Sequence, residues 1–475
     1  MKKIFLFIIM AVLSIGITVN AKEVENNLTL ESDITDGIHI PEGKTVVLDL
    51  NDHNITGVID NYATIYNEGT LTIKGFGKVT NNYSEETDPA LILNTGTIVI
   101  ENGTYKGGSY PLKNEGKATL KGGSFEALTT FNSIQNNKSL TIENGTFNTQ
   151  LVSNDTINVK NGTFNRMVTV VKKGTIEDGK FTVLLMADGE GTILNIKNGT
   201  FSQLSSKKAT TNVLGGKTSG QVQAIEGGVV NIYDGEYSGT LTVRGNTSKI
   251  LASGGVFKYN VTRDYLEEGF VCRERSDSKY IVLNPDNISL KMITNALDAL
   301  ADEEEELVGK VLAADYQIGK SYDVTIKEVT VIQGKEEELG NVTETEEELE
   351  VTLEIPEELQ DIPSNTEREY TIVRIHDGEA QELETTNNND GTLTAKSNLF
   401  STYIVAYKDT VTSGNTTPTN NDNNTNTNNN STINHREDEN IANPKTKDDI
   451  ILYVILLSVS SITLLFNTKK LLKNN

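Results

Sequence analysis

Short alternations of apolar and polar residues recur along residues 95–260, and each one ends in a turn and an aromatic residue. The clearest copies read "IENGTY", "IENGTFN", "VKNGTF" and "IKNGTF"; looser copies read "LKGGSF", "IEDGKF", "IYDGEY" and "ASGGVF". Alternation with a period of two predicts strands with one buried face. The Asn, Asp and Gly residues between the alternations predict turns. This part of the chain is therefore predicted to consist of short strands joined by tight corners.

The corners return at a nearly constant spacing. Consecutive turn glycines are 20, 22, 17, 17, 20, 36 and 20 residues apart, and 36 corresponds to two repeats of 18 with one degenerate copy between them. An aromatic residue stands two positions after every one of these glycines. The pairs are Gly103 with Tyr105, Gly123 with Phe125, Gly145 with Phe147, Gly162 with Phe164, Gly179 with Phe181, Gly199 with Phe201, Gly235 with Tyr237, and Gly255 with Phe257.

A repeat of about twenty residues predicts a solenoid. The units lack the amphipathic stretches of helical solenoids, and they lack the fixed leucines and the asparagine ladder of leucine-rich repeats. Two or three short strands per unit instead indicate one coil of a parallel β-helix. Glycine supplies a positive φ at the corner. The aromatic is expected to point inward and to stack on its neighbour one coil away, at about 4.8 Å. An outward aromatic ladder that binds sugars is the less favoured alternative.

Residues 28–57, "LTLESDITDGIHIPEGKTVVLDLNDHNITG", contain alternating strands around a "PEGKT" turn. They resemble the first coils of bacterial surface β-helix proteins and of pectate-lyase-like folds. Counting from there to Phe257 gives about ten to twelve coils. The segment "RDYLEEGFVCRERSDSKYIVLNPD" that follows resembles a closing unit, which would cap the exposed strand edges. The β-helix with its cap is predicted to cover residues 22–285.

The pattern changes in residues 286–409. The stretch "SLKMITNALDALADEEEELVGKVL" has helical spacing of its apolar residues, and strand-like runs follow it. The closing run "FSTYIVAYKD" resembles the last strand of a small β-sandwich module of Firmicute surface proteins. An acidic helix and a β-sandwich-like stalk are therefore expected. The residues that suggest the helix are Leu290, Ile293, Leu297, Leu300 and Leu307.

The first 21 residues, "MKKIFLFIIMAVLSIGITVNA", contain two lysines, an apolar core and a small-residue site that ends at Ala21. This order predicts a secretory signal peptide, and a membrane anchor is the less favoured alternative. Residues 410–442 are rich in Asn and Thr and lack apolar periodicity, which predicts a disordered linker. The all-β body is therefore expected to be exported and tethered.

Residues 443–475 combine a short motif, an apolar run and a basic tail. The run 450–466 carries no charge and is predicted to form a transmembrane helix about 25 Å long, with a cytoplasmic basic tail after it. This order resembles the sorting signal of Gram-positive cell-wall proteins, in the NPxT variant of the LPxTG pattern. The motif residues are Asn443, Pro444, Lys445, Thr446 and Lys447.

The resemblance implies that a sortase cleaves after Thr446 and joins this residue to peptidoglycan. The family usually has glycine where this chain has Lys447. Simple retention in the membrane through the C-terminal helix is therefore the alternative to wall attachment. Either anchor would display the protein on the outer face of the cell.

The net charge of -24 is unevenly distributed. Between Asp302 and Asp361 there are 20 acidic residues and 4 lysines. Such a surface repels polyanions, so a nucleic-acid partner is not expected. The chain has one cysteine, Cys272, so it has no internal disulfide.

No catalytic residue, cofactor site or metal site is evident in the repeats. No histidine lies between Asn54 and Ile375, and the coils contain only two widely separated arginines, Arg166 and Arg244. The aspartates of the coils lie in or beside turns. Acids and lysines replace one another at equivalent strand positions, which indicates a row that faces solvent. The residues concerned are Asp155, Asp178 and Asp234 in the turns, and Glu101, Glu143, Lys160 and Lys197 in the row.

The leading hypothesis is therefore a surface-anchored β-helix adhesin or binding scaffold, for glycans or for ligands on host or microbial surfaces. One alternative is an extracellular polysaccharide lyase or glycoside hydrolase of the same fold. Such an enzyme would need paired carboxylates on neighbouring coils, or a Ca²⁺ cluster with a basic residue. The other alternative is a passive structural protein of the cell wall.

Overall fold

The computed structural model describes residues 21–59, 63–82, 89–129, 133–332 and 334–412, and it divides into two units between Asn284 and Pro285. The first unit contains a parallel β-solenoid of about 11 turns over residues 22–257. The predicted solenoid and its number of coils are confirmed. At about 4.8 Å per coil, the stack is about 50 Å long.

Each coil of the solenoid has three sides, and strands on the same side pair in parallel with the coils before and after them. The first side is a sheet of 12 strands in which alternate residues are buried. Its strands are Leu28–Thr29, Thr45–Asp49, Thr70–Lys74, Thr97–Ile100, Lys117–Leu120, Ser139–Ile142, Thr156–Val159, Lys173–Ile176, Ile193–Ile196, Thr210–Val213, Val229–Ile232 and Lys249–Ala252.

The second side follows the corner glycines, and the third side leads back to the first. The second-side strands are Asn54–Ile55, Lys78–Thr80, Thr104–Lys106, Ser124–Glu126, Thr146–Asn148, Thr163–Phe164, Lys217–Thr218, Glu236–Tyr237 and Val256–Phe257. The third-side strands are Ala21–Glu23, Gly37–Ile40, Ala63–Asn67, Ala90–Asn94, Lys113–Asn114, Ser133–Asn136, Gln150–Ser153, Val168–Val170, Val222–Ile225 and Leu241–Arg244. Two longer strands, Lys180–Asp188 and Thr200–Lys207, run through both sides.

The corner aromatics form a continuous internal stack, as the sequence predicts. From Tyr105 to Phe201 the ring centroids of neighbouring coils are 4.5 to 5.3 Å apart, with nearly parallel planes. A second stack joins Tyr237 and Phe257 at 4.8 Å. Between the two stacks, the strand of the degenerate copy places Thr218 opposite Phe201 and Tyr237. All eight aromatics are buried, so the alternative of an outward aromatic ladder is wrong.

Corner geometry explains why glycine and an aromatic recur together. Gly145 has a φ of +138°, a conformation that strains any residue with a Cβ. A Cβ there would lie 3.1 Å from the carbonyl oxygen of Gly123 and 3.2 Å from the Phe147 ring. The backbone of the preceding coil and the Phe147 ring therefore fill the space that a side chain at position 145 would need.

An asparagine ladder runs inside the third side, and the expectation that the repeats lack such a ladder is therefore wrong. The Nδ2 atom of each asparagine donates to the Oδ1 atom of the next one along the stack, at 2.6 to 2.7 Å. The same Nδ2 atoms also donate to backbone carbonyl oxygens of the next coil, so the Nδ2 groups of these buried amides remain paired. The ladder comprises Asn67, Asn94, Asn114 and Asn136, and Ser153 accepts from its last member at 2.9 Å.

The last coil is closed by an antiparallel hairpin. The strand Tyr280–Leu283 pairs with Val256–Phe257, and Val271–Glu274 pairs with Tyr280–Leu283. A short 3-10 helix, Arg263–Tyr265, precedes the hairpin, and Leu266 bridges to the end of the first side. The edge of the final coil is thus partly paired, as the resemblance to a closing unit implied.

The second unit contains two antiparallel sheets that share one core. The larger sheet has the strands Ser289–Ala296, Gln317–Ile332, Lys335–Val342, Thr366–His376, Glu379–Leu383 and Thr402–Val411. The smaller sheet has the strands Glu344–Glu354, Thr385–Asn387 and Thr392–Leu399. Over its described residues, 285–332 and 334–412, the unit also has a 3-10 helix, Pro285–Asn287, and two α-helices, Asp302–Val311 and Glu357–Gln360.

The helix predicted to begin near Leu290 is wrong in its first half. Residues Ser289–Ala296 form a strand because they pair antiparallel with residues 322–329, and Leu290 and Met292 pack against the shared core. The helix is confined to Asp302–Val311. On that helix Val308 is buried against Ile404 and other residues on the outer face of the larger sheet. Tertiary pairing therefore overrides the local helical spacing.

Replacing Phe164 by alanine is expected to destabilise the solenoid by about 3–5 kcal/mol, because the change opens a cavity inside a continuous stack. Phe164 lies 4.7 Å from Phe147 and 4.5 Å from Phe181, measured between ring centroids. Urea unfolding followed by far-UV circular dichroism measures the change. The control Tyr259→Ala removes a half-exposed aromatic and should cost less than about 0.5 kcal/mol. Equal losses in the two variants would contradict the stacking argument.

A second prediction concerns alkaline pH. Burial raises the pKa of Tyr403 to about 12, and its hydroxyl donates to the Leu399 carbonyl oxygen at 2.6 Å. The folded state thus holds this proton more tightly than the unfolded state, in which the pKa is about 10. The stability contributed by Tyr403 is complete below pH 10 and is lost as pH rises toward 12, by about 2–3 kcal/mol in total.

Urea unfolding between pH 9 and pH 11.5 tests this expectation. The variant Tyr403→Phe lacks the titrating hydroxyl and should show a shallower loss of stability across this range. An unchanged alkaline slope in the variant would show that another group is responsible.

Candidate functional site

The outer surface of the second side carries a regular array of hydroxyl, amide and lysine groups. Each corner aromatic points inward, so the residues on either side of it point to solvent. The residues before the aromatics form one row: Thr104, Ser124, Thr146, Thr163, Lys180, Thr200, Lys217 (before Thr218) and Glu236. The residues after them form a second row that includes Lys106, Glu126, Asn148, Asn165, Thr182, Ser202, Ser219 and Ser238.

Near the first coils this surface becomes a shallow groove of about 500 Å³. Phe76 projects beside it with 71% of its side chain exposed, and Asp52 and Asn102 also line it. The floor carries Thr104 and Ser124. An exposed aromatic ring beside carboxylate, amide and hydroxyl groups offers one apolar surface and several hydrogen-bonding groups at the same place.

The groove wall at the first coils has an unusual backbone. Asn51 and Asp52 are consecutive non-glycine residues with φ values of 46° and 65°. The side chain of Asn51 donates to the Leu30 carbonyl oxygen at 3.0 Å, which holds this turn in place. Residues in this region of conformational space cost free energy and are often retained at functional positions. The turn positions Asp52 at the edge of the groove.

A second groove of about 340 Å³ lies farther along the same side. Its lining includes Lys180, Thr200, Lys217, Ser219 and Glu236. Lys217 and Glu236 form an ion pair with 3.0 Å between nitrogen and oxygen. The two grooves therefore lie on one face, and both carry charges of each sign: Asp52 and Lys78 line the first, and Lys180, Lys217 and Glu236 line the second.

The structure places the predicted repeat residues beneath these grooves. Phe181 and Phe201 contribute to the lining of the second groove, and Gly103 and Gly123 contribute to the lining of the first. The predicted glycines and aromatics thus form the support of the surface, while the exposed groups belong to their neighbours in sequence. The predicted sorting motif, residues 443–447, lies outside the described residues.

The carboxylates singled out from the sequence have structural partners. Asp178 and Asp234 accept from the amides of Gly179 and Gly235, each at 2.7 Å, and so hold the corners. Asp155 pairs with Lys172 at 2.9 Å, and hydrogen bonds from Lys172 and Thr156 lower its pKa. None of these contacts places two carboxylates together.

Glu101 and Glu143 belong to a solvent-facing row, as predicted. Glu101 pairs with Lys121 at 3.1 Å, and Glu143 pairs with Lys160 at 2.9 Å, with all four side chains partly exposed. The hydrogen bond and charge of Lys160 lower the pKa of Glu143. This row follows the strands of the first side, and its four residues line neither of the two grooves.

A histidine cluster in the first coils was not anticipated. The Nε2 atom of His39 lies 2.8 Å from Glu68, and its ring stacks on Tyr66 with 5.1 Å between centroids. Hydrogen bonds from Tyr66 and His39 lower the pKa of Glu68. A lowered pKa favours the ionised form of Glu68, which suits an ion pair better than a general acid. Within the described residues no group of three or more His, Cys, Asp or Glu side chains could hold a metal ion.

The second unit has a cavity of about 680 Å³. Its lining is about equally polar and apolar, and the apolar part includes Leu290, Met292, Val329 and Leu349. Lys291 and Glu336, which form an ion pair with 2.6 Å between nitrogen and oxygen, also line this cavity. The lining combines core side chains with an exposed ion pair, and it carries no cluster of titratable groups suited to catalysis.

Comparison with known proteins identifies no relative: no protein-family model, curated protein or solved structure matches this chain. Among the helices of the described residues, none is long and apolar enough to cross a membrane. The predicted transmembrane run 450–466 lies outside the described residues.

The repeats contain a sequence pattern that corresponds to the surface of the grooves. The residues beside the corner aromatics are mostly Thr, Ser, Asn and Lys, as in "GTFN", "GSFE" and "GKFT". Their significance depends on knowing that the aromatic points inward, because the neighbours then share one outer face in every coil.

Proposed function

We propose that this protein is a surface-displayed binding scaffold that holds glycans along the second side of its solenoid. The observation that carries the proposal is the pair of grooves over one continuous array of hydroxyl, amide and lysine groups. Groups repeated at about 4.8 Å suit an extended, repetitive, hydroxyl-rich ligand. Phe76 supplies a ring surface on which a sugar can rest, while polar neighbours fix its orientation.

The same proposal includes export and anchoring at the cell surface. Its support is the order of a signal-peptide-like start, an Asn/Thr-rich linker, the motif around Thr446, an apolar run and a basic tail. We propose a Gram-positive origin and attachment by sortase to peptidoglycan. We also propose that the coil is right-handed and pectate-lyase-like, as the resemblance of the first coils implies.

Glycan binding is tested with the full chain on an array of neutral and acidic glycans. Phe76→Ala should weaken binding at the first groove by at least about tenfold, since it removes the exposed ring, and should leave folding unchanged. Thr200→Val removes one hydroxyl at the second groove, for an expected loss of about threefold to tenfold. The matched control Thr210→Val makes the same change on the first side and should have no effect.

Other outcomes would favour the alternatives. Release of reducing ends or unsaturated sugars from pectin-like or mucin-like glycans would establish an enzyme. An array without binding would favour a passive wall protein. Binding that survives both Phe76→Ala and Thr200→Val would place the glycan site elsewhere.

Anchoring is tested in a Gram-positive host that expresses a sortase. Thr446→Ala should move the protein from the peptidoglycan fraction, released by muramidase, to the membrane fraction. Lys447→Gly restores the residue usual in the resembling family and should increase the wall-bound share. Lys445→Ala changes the variable position of the motif and serves as the control. If none of the changes alters the distribution, sortase does not process this site.

A further inference from the structure

The first side carries a row of alternating charges over eight consecutive coils. Within the row, the Nζ atom of Lys74 lies 3.1 Å from the Oδ2 atom of Asp49. Equivalent ion pairs join Glu101 to Lys121 and Glu143 to Lys160. After the eighth coil the row continues with Leu214 and Tyr233, both about half exposed. We name these eight residues the charge ladder: Asp49, Lys74, Glu101, Lys121, Glu143, Lys160, Glu177 and Lys197.

The neighbouring outer row on the same strands carries no charge. Its side chains are short or β-branched, so this row has no long groups that would hold another surface away. The row comprises Val47, Thr72, Val99, Thr119, Thr141, Asn158, Thr175 and Asn195. An uncharged strip beside a charged one shares one feature with protein interfaces, whose buried centre is depleted of charged residues.

We infer that this face binds a second copy of the chain, with the two solenoids packed face to face and antiparallel. The two-fold axis runs parallel to the strands and lies between Lys117–Leu120 and Ser139–Ile142. It places each outer row opposite the same row of the partner subunit, in reverse order. The first coil of the ladder then faces the partner's eighth, and the fourth faces the partner's fifth. An alternating row with an even number of members becomes complementary to itself in this arrangement, because every acid faces a base.

The third outer row of the face is compatible with the same arrangement. Lys117 faces Ser139 of the partner subunit, and Lys173 faces Thr70 of the partner subunit, so no like charges meet. In a parallel arrangement the ladder would instead lie over this third row, and Lys121 would face Lys117 of the partner subunit. Charge complementarity therefore selects the antiparallel dimer.

The area of the face is sufficient for a weak dimer. Eight strands at about 4.8 Å and five residues at about 3.3 Å give a contact of about 38 Å by 16 Å. Two such surfaces bury about 1,200 Å² in total, at the lower limit for specific protein interfaces. The ladder also pairs within each chain, so contacts to the partner contribute more to orientation than to affinity.

Cross-linking of the full chain tests the arrangement, in a Cys272→Ser background. Thr141→Cys places two thiols about one strand spacing apart across the axis, within reach of a short bis-maleimide. The control Thr72→Cys lies five coils from its own copy, about 24 Å away, and should not cross-link. A mixture of Thr72→Cys and Thr175→Cys chains should cross-link, since these positions face each other. Equal cross-linking by Thr141→Cys and Thr72→Cys, or none by either, would overturn the proposal.

A charge exchange separates contacts between chains from contacts within a chain. In the Thr141→Cys chain, Glu143→Lys should lower cross-linking at least fivefold, because two lysines then meet across the axis. The double variant Lys121→Glu/Glu143→Lys restores opposite charges between the chains and should recover cross-linking. Within each chain it places like charges beside Glu101 and Lys160, so its melting temperature should fall. Cross-linking that follows the melting temperature in all variants would show that the ladder acts only within a chain.

Discussion

Parallel stacking at one strand spacing is the constraint on which this solenoid depends. Each coil must place the same kind of group directly over the coil before it, because backbone hydrogen bonds fix the separation at about 4.8 Å. Flat rings satisfy this spacing, as do amides that donate and accept in line. The stack from Tyr105 to Phe201 and the ladder from Asn67 to Asn136 are two solutions to that requirement.

The features that could be predicted are those in which a residue type, at its position in the pattern, has only one structural role. A glycine followed two places later by an aromatic indicates a corner and a core position, so the aromatic stack followed from the spacing alone. Asparagine is ambiguous, because it favours turns as well as buried ladders; Asn94 and Asn114 were therefore not recognised as core residues. The helical spacing of Leu290 and Ile293 is misleading because their strand partners, Glu328 and Thr325, lie 38 and 32 residues away in sequence.

The candidate binding surface was harder to predict for a related reason. Most inward positions are apolar, and their periodicity shows in the sequence. Outward positions such as Thr104 and Thr200 meet no such requirement, so their alignment becomes visible only after the register of every coil is known. The exchange of Glu143 for Lys160 did indicate a solvent-facing row. The complete alternation from Asp49 to Lys197 can be recognised only when the unequal lengths of the coils are known, and the structure supplies these lengths.

The interruption of the ring stack at Thr218 divides the solenoid energetically. In a quasi-one-dimensional array each coil is stabilised by its two neighbours. A junction with a smaller buried side chain therefore couples the coils on its two sides less strongly. The coils that contain Tyr237 and Phe257, together with the closing hairpin, are therefore expected to unfold more independently of the longer stack than the coils within that stack do of one another. Under a mechanical load applied at the C-terminal end of the solenoid, this segment would therefore open before the longer stack of rings.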